Sequence, residues 1–339
     1  MRARAWMKGK GSCVLTVSLL LSLLSWPAQS ASANNTTFSG EATVVQATVL
    51  GLPPIVLSDT GALDSTGGAR EASLLDANVP GLLTAEVLHA STVGQGQRSS
   101  SEASVANVTL TVGGNTISAG LLRARATAEC HNGTASVSGS SEIVDLVVNG
   151  QAIVVSGQPN QTISLPVGRV IINEQQSSVS GNTGDITVNA LHVMVDGVAD
   201  VIISSAHADI TCGGPVCPGG DFVTGGGWIT GTPSGEKGTF GVAGGIKNGA
   251  LWGHLTYIDH GTNMKVKGTG VTAYTVTGPT TRHIEGTAEI DGRSGSYQVD
   301  VSDNGEPGRK DTFSIMLSNR YSASGLLIGG NIQLHQPCK

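Results

Sequence analysis

The chain is written in short alternations of apolar and polar residues. Val108-Thr109-Leu110-Thr111-Val112 changes face at every step, the period of a strand with one buried face. It stops at Gly113-Gly114-Asn115, and Ile117 restarts it. Ile143 to Val148 leads into Asn149-Gly150, and Leu191-His192-Val193-Met194-Val195 leads into Asp196-Gly197. Asn, Asp and Gly tolerate positive φ, so both pairs suit type I′ hairpin turns. Three hairpin-like units with a weak internal repeat predict an all-β sandwich in the N-terminal part.

Beyond position 220 the pattern predicts a different β domain. Turn signals at Asn248-Gly249, His260-Gly261, Gly278-Pro279, Asp291-Gly292, Asn304-Gly305 and Gly329-Gly330 separate eight or nine strands. Alternation is clean from Ile284 to Ile290 and from Tyr297 to Val301, as in an antiparallel sheet with one wet face. The expectation is an antiparallel meander that forms a small barrel or a sandwich.

Aromatic usage draws the boundary between the two. Between Asn34 and Gly220 the sole aromatic is Phe38, whereas nine lie from Phe222 to Tyr321. Cys212-Gly213-Gly214-Pro215-Val216-Cys217-Pro218-Gly219-Gly220 cannot continue a strand and has little to bury. The expected organisation is a first domain over 34–212, a linker over 213–220 and a second domain over 217–339.

Residues 1–33 read as a secretory signal peptide. Arg2, Arg4, Lys8 and Lys10 precede an apolar run from Val14 to Trp26, which ends in the small residues Ala31-Ser32-Ala33. That run falls short of the ~20 apolar residues of a membrane span, so no transmembrane anchor is expected in the mature chain. Cleavage takes four basic residues and no acidic ones, moving the formal charge from −6 to −10. An acidic chain without a Lys/Arg cluster is poorly suited to nucleic acid or anionic lipid, which need neutralising cations. An extracellular or cell-wall partner is expected, and no cofactor is implied.

In an oxidising compartment the cysteines read as disulfides. Leu122, Ala124, Ala126, Ala128 and Cys130 share one face of a strand, and Ala206, Ala208, Ile210 and Cys212 share one face of another. Both thiols therefore point inward, which makes Cys130–Cys212 the first pairing. Cys217 and Cys338 remain to tie the ends of the second domain, one of three connectivities open to four cysteines. Each bridge would add ~4 kcal/mol in the chain-entropy account. No Cys-x-x-Cys pair points to a metal.

Candidate chemistry is sparse. The Gly-x-Ser-x-Gly elbow, the phosphate and dinucleotide loops and His-Glu-x-x-His are missing. His254 and His260 would lie ~20 Å apart on one strand face at ~3.3 Å per residue. Asp303, Glu306 and Asp311 gather carboxylates around a turn that resembles a Ca²⁺ loop without its full spacing; hairpin chemistry explains them as well. Trp228, after Gly225-Gly226-Gly227, Trp252 and His254 are the candidate ligand contacts. Trp228 is expected to pack over glycine-induced curvature as core, and glycan stacking is the alternative.

The N-terminal part resembles the choice-of-anchor P family in Phe38-Ser39-Gly40-Glu41-Ala42, Leu57-Ser58-Asp59-Thr60-Gly61, Ala69 to Leu75, Asn149-Gly150-Gln151 and Ala208-Asp209-Ile210-Thr211-Cys212. The second part resembles the domain that commonly follows it, in Phe222 to Ile229, Gly253 to His260, Asp303 to Gly308, Asp311 to Ile315 and Gly329 to Gln333. The resemblance implies a bacterial exported or surface protein with no known reaction. Only Lys339 follows Cys338, so secretion or retention through a partner is expected. The function expected is binding or structural, with an extracellular polymer hydrolase or a small-ligand carrier as alternatives.

Overall fold

The computed structural model describes residues 35–214, 220–247 and 249–336. Residues 1–33, where a signal peptide is expected, Cys217, Cys338 and Asn248 lie outside the described residues. The protein is all-β, with three antiparallel sheets among the described residues.

The N-terminal part contributes β1 (Thr37–Val49), β2 (Ile55–Asp59), β3 (Gly68–Val79), β4 (Leu83–Gln95), β5 (Arg98–Val112), β6 (Asn115–His131), β7 (Thr134–Val144), β8 (Val147–Val148), β9 (Gln151–Ala152), β10 (Gln161–Ser164), β11 (Arg169–Ser180), β12 (Thr183–Val195) and β13 (Ala199–Thr211). They form a sheet in the order β10-β11-β12-β13-β1-β2 and a second in the order β3-β4-β5-β6-β8-β9, with β7 also on β6. The two sheets face each other across one core, drawn from Val44, Leu88, Leu110, Leu122, Ile172, Leu191 and Ile203 among others. Ala124, Ala126 and Ala128 on β6 and Ala206 and Ala208 on β13 are fully buried there. Cys130, at the end of that inward row on β6, is bonded to Cys212 just beyond β13, with Cα atoms 5.6 Å apart. The bridge joins the two sheets, as the phase of both strands predicts.

The remaining strands are β14 (Phe222–Ile229), β15 (Gly238–Lys247), β16 (Ala250–Asp259), β17 (Met264–Val276), β18 (Thr281–Ile290), β19 (Arg293–Ser302), β20 (Thr312–Leu317), β21 (Ser322–Leu326) and β22 (Gly329–His335). β14 to β21 follow each other as a meander, and β22 returns beside β14. A single core draws on every strand, from Val223 on β14 to Ile332 on β22. Leu327-Ile328 joins the two edge strands, and Ser324 N donates to Gly231 O at 3.0 Å, so the sheet curls back towards its own start as a barrel does. Phe240 and Phe313 stack inside with ring centroids 3.9 Å apart. β16 and β17 pair only over Thr256–Asp259 and Met264–Lys267. Beyond Lys267, β17 is bent by two register shifts against β18 and leaves β16.

Local turn chemistry held in part. Asn149 and Gly150 both take positive φ, as do Asp291 and Gly292. At Asp196-Gly197 only the glycine does, so that turn is not type I′. Ile143 to Val148 is not one strand: β7 ends at Val144, and Asp145, at φ 54°, redirects the chain into β8. Gly329-Gly330 opens β22 instead of turning, because Gly330, at φ 101°, sits against the Gly226 carbonyl where any Cβ would collide.

Candidate functional site

The second face of the β3–β7 sheet is where the sequence reading falls short. Arg123, Arg125, Glu102 and Ser104 lie on the face opposite the core, and all are buried. The barrel's β14 and β15 pack on this face of the sheet. A Cβ on Gly226 would come within 2.8 Å of Ser104 Oγ, and one on Gly241 within 3.1 Å of His89 Cβ. These glycines do not merely curve a strand; they let two sheets approach closely.

Polar groups stitch this seam. Arg123 lies 3.2 Å from Glu102 and 3.1 Å from Glu142, and Glu142 also accepts the Gly330 N–H of β22 at 3.1 Å. Arg125 pairs with Glu306. Burial pushes the Glu102 carboxyl above its ordinary range, and Arg123 and then Arg125 offset part of that rise. Lys237 Nζ donates to Asn107 Oδ1 at 3.1 Å, and His260 bonds Thr239 Oγ1 at 2.9 Å.

At one margin of the seam, β3 passes over the gap where β17 leaves β16. The result is a cleft of about 520 Å³, lined by Ser73, Asp76, His254, Thr256, Lys267 and Thr269 among others. Glu71 and Ser73 occupy alternate positions of β3 and so share a face. His89 is directly opposite Ser73 on β4. Ser73 Oγ is 2.6 Å from Glu71 Oε1 and 2.9 Å from His89 Nδ1. From the barrel side, His254 Nδ1 reaches Glu71 Oε2 at 3.0 Å. His89 is 1% exposed, and burial lowers its imidazole to about 4, so the ring is neutral at pH 7. Burial also pushes the Glu71 carboxyl up, but His254, with His89 and Ser73, outweighs it and holds the group below its ordinary range.

Of the residues singled out in the sequence, His254 stands at this cleft. It is not paired with His260, and its 27% side-chain exposure belongs to a group bonded across the seam, unlike a free strand-end histidine. Trp252 packs edge-on to Phe222 at 5.5 Å, with Lys247 Nζ 5.0 Å over its ring. Trp228 is half-buried on the outer face of β14, outside the barrel core, with Lys237 Nζ 5.3 Å over its ring. Neither tryptophan is a free stacking platform: Trp228 lies outside the barrel core, and Trp252 packs on the small buried cluster of Ala69, Val93 and Phe222.

The acidic turn is spent on backbone. Asp311 accepts Asn304 N–H at 2.8 Å and Ile332 N–H at 2.9 Å, and Asp303 accepts Gly305 N–H and, at 2.8 Å, Leu334 N–H. With Glu306 on Arg125, the loop's carboxylates tie it to β22 and to the sandwich. Burial, with Asp303 and Glu306 nearby, pushes the Asp311 carboxyl up to about 6 against the pull of those two N–H groups. Among the described residues, no three His, Cys, Asp or Glu side chains gather as a metal site, and no helix is long and apolar enough to cross a membrane.

Sequence reasoning missed Glu71, Ser73 and His89. The available signal was Glu-x-Ser at strand spacing, which a search for known nucleophile motifs passes over. No family model and no curated protein matches the chain. Among solved structures it is similar to a "putative AttH" from Nitrosomonas europaea, at 6% identity over 89% of this chain and 93% of that one, with a TM-score of 0.21. A score that low transfers neither fold nor function.

Proposed function

We propose that the protein is an exported bacterial module of the choice-of-anchor P type that works outside the cell by binding, with the cleft between β3, β16 and β17 as its ligand site. The observation that carries this reading is the cleft itself. Hydroxyls of Ser73, Thr256 and Thr269, the Lys267 ammonium and the His254 imidazole converge on about 520 Å³ of space. Its walls come from both parts of the chain and are joined by His254 Nδ1 on Glu71 Oε2 at 3.0 Å, which is how a binding site is pre-organised at low entropic cost. Donors and acceptors of this kind suit a hydroxyl-rich saccharide of a cell wall. The basic-then-apolar leader pattern and the Cys130–Cys212 bridge support an extracellular setting.

The test is calorimetric titration with muropeptides released from peptidoglycan by a muramidase. Binding is expected for the unmodified protein, with at least tenfold loss in Lys267→Ala and Thr269→Ala and unchanged melting temperatures. Undiminished binding in both variants, or none in the unmodified protein, contradicts the reading.

A further inference from the structure

We propose that Ser73 is a nucleophile and Glu71 its general base, so that the cleft hydrolyses a carboxylic ester, an O-acyl group carried on a hydroxylated ligand. The inference rests on the reading that this cleft is the functional site. It goes further by assigning a reaction to it.

The geometry is that of an activated hydroxyl. The 2.6 Å contact between Ser73 Oγ and Glu71 Oε1 is in the range of a charge-assisted O–H···O⁻ bond, so the serine proton points at the carboxylate. Since that proton is committed to Glu71, His89 Nδ1–H donates to Ser73 Oγ from 2.9 Å and holds the oxygen in place. Glu71 is oriented in turn by His254 on its other oxygen. A nucleophile, a base within reach and a third group fixing the base is the recurring arrangement of covalent catalysis. Ser73 and His254 both line the cleft, and the Glu71 side chain, 5% exposed, lies within hydrogen-bond reach of both. Lys267, which lines the cleft, offers a cationic donor to the developing oxyanion.

The step balances as follows. Ser73 Oγ bonds to the ester carbonyl carbon as its proton passes to Glu71 Oε1, and the carbonyl electron pair moves to oxygen. The tetrahedral adduct re-forms the carbonyl and expels the alcohol, which takes the proton from Glu71. Water then gives a proton to Glu71 and attacks the acyl-serine, releasing the carboxylic acid and returning the proton to Ser73.

The protein is treated with a biotin-linked fluorophosphonate, and the labelled residue is mapped by peptide mass spectrometry; turnover of p-nitrophenyl acetate is followed alongside. A single adduct on Ser73 is expected, absent in Ser73→Ala. Glu71→Gln is expected to slow labelling by at least 100-fold, with Ser73→Ala and Glu71→Gln melting as cooperatively as the unmodified protein. Because the Glu71 carboxyl is ionised well into the acid range, the labelling rate stays level from pH 8 to about 5. No adduct, an adduct on another serine, or a rate that falls between pH 7 and 6 as for an imidazole base overturns the proposal. Muropeptide binding without labelling removes the reaction and keeps the binding site; labelling without muropeptide binding does the reverse.

Discussion

Arg123→Met tests whether the seam is held as described. Arg123 sits between Glu102 and Glu142 at 3.2 and 3.1 Å, with side-chain exposures of 7%, 8% and 15% for the three groups. Removing the cation leaves the buried Glu102 with Arg125 alone to offset its charge, and loosens Glu142, which holds the Gly330 N–H of the barrel. Breaking a buried pair from one side costs about 3–5 kcal/mol, whereas replacing both partners with apolar groups is near neutral. For a chain of this size that is roughly a 5–8 °C fall in melting temperature. Urea unfolding followed by tryptophan fluorescence is the direct assay. In protein without residues 1–33 the emission comes from Trp228 and Trp252, one facing the sandwich and the other packed on Phe222. Arg123→Met/Glu102→Met is expected to recover most of the loss. A single-variant cost below about 1 kcal/mol, or a double variant equal to the sum of the singles, would refute the reasoning.

The other expectations concern packing, covalent structure and pH. Gly241→Val forces a branched side chain against His89 Cβ and Thr256 Oγ1, and should cost about 1–3 kcal/mol in urea unfolding through overpacking of the seam. Cys130→Ala opens a bridge spanning 82 residues of sequence and should cost about 2–5 kcal/mol, with the Cys130–Cys212 peptide lost from a non-reducing digest. Burial lowers His89 to about 4 and His335 to about 3, so each binds its proton less readily folded than unfolded. Their stabilising contribution is complete above about pH 6.5 and is lost as the pH falls through that range towards 4. His335→Gln, which keeps a partner for Thr224, should therefore flatten the dependence of unfolding free energy on pH between 6 and 4.5; an unchanged slope would mean that His335 is not buried neutral.

Where burial is decided by neighbours along the same strand, the sequence was readable. The phase of Leu122 to Cys130 and of Ala206 to Cys212 located both thiols and their bridge, because one sheet face met one core. The same strand misled on its other face. Arg123 and Arg125 lie opposite the core-facing row, and the groups that meet them from the barrel side, Glu306 on Arg125 and the Gly330 N–H on Glu142 beside Arg123, lie more than a hundred residues away. Gly225-Gly226-Gly227 gave no hint that the middle glycine faces another sheet. The carboxylates of Asp303 and Asp311 resembled an ion site because their true partners, the N–H groups of Leu334 and Ile332, carry no side-chain signature. The cluster at Ser73 escaped for a similar reason: Glu71 and Ser73 are adjacent only on a strand face, His89 joins them through strand register, and His254 comes from the barrel.

The central claim is that the cleft between β3, β16 and β17 holds the ligand. Hydrogen exchange with and without muropeptides tests it most directly, because β16 and β17 pair with each other only from Thr256 and Lys267 towards their shared turn. Added ligand should slow exchange at the amides of residues 253–256 and 267–269, and in β3 at 73–76, while the outer face of the β1–β13 sheet is unchanged. Slowed exchange confined to any other surface, or none at saturating ligand, would contradict the account.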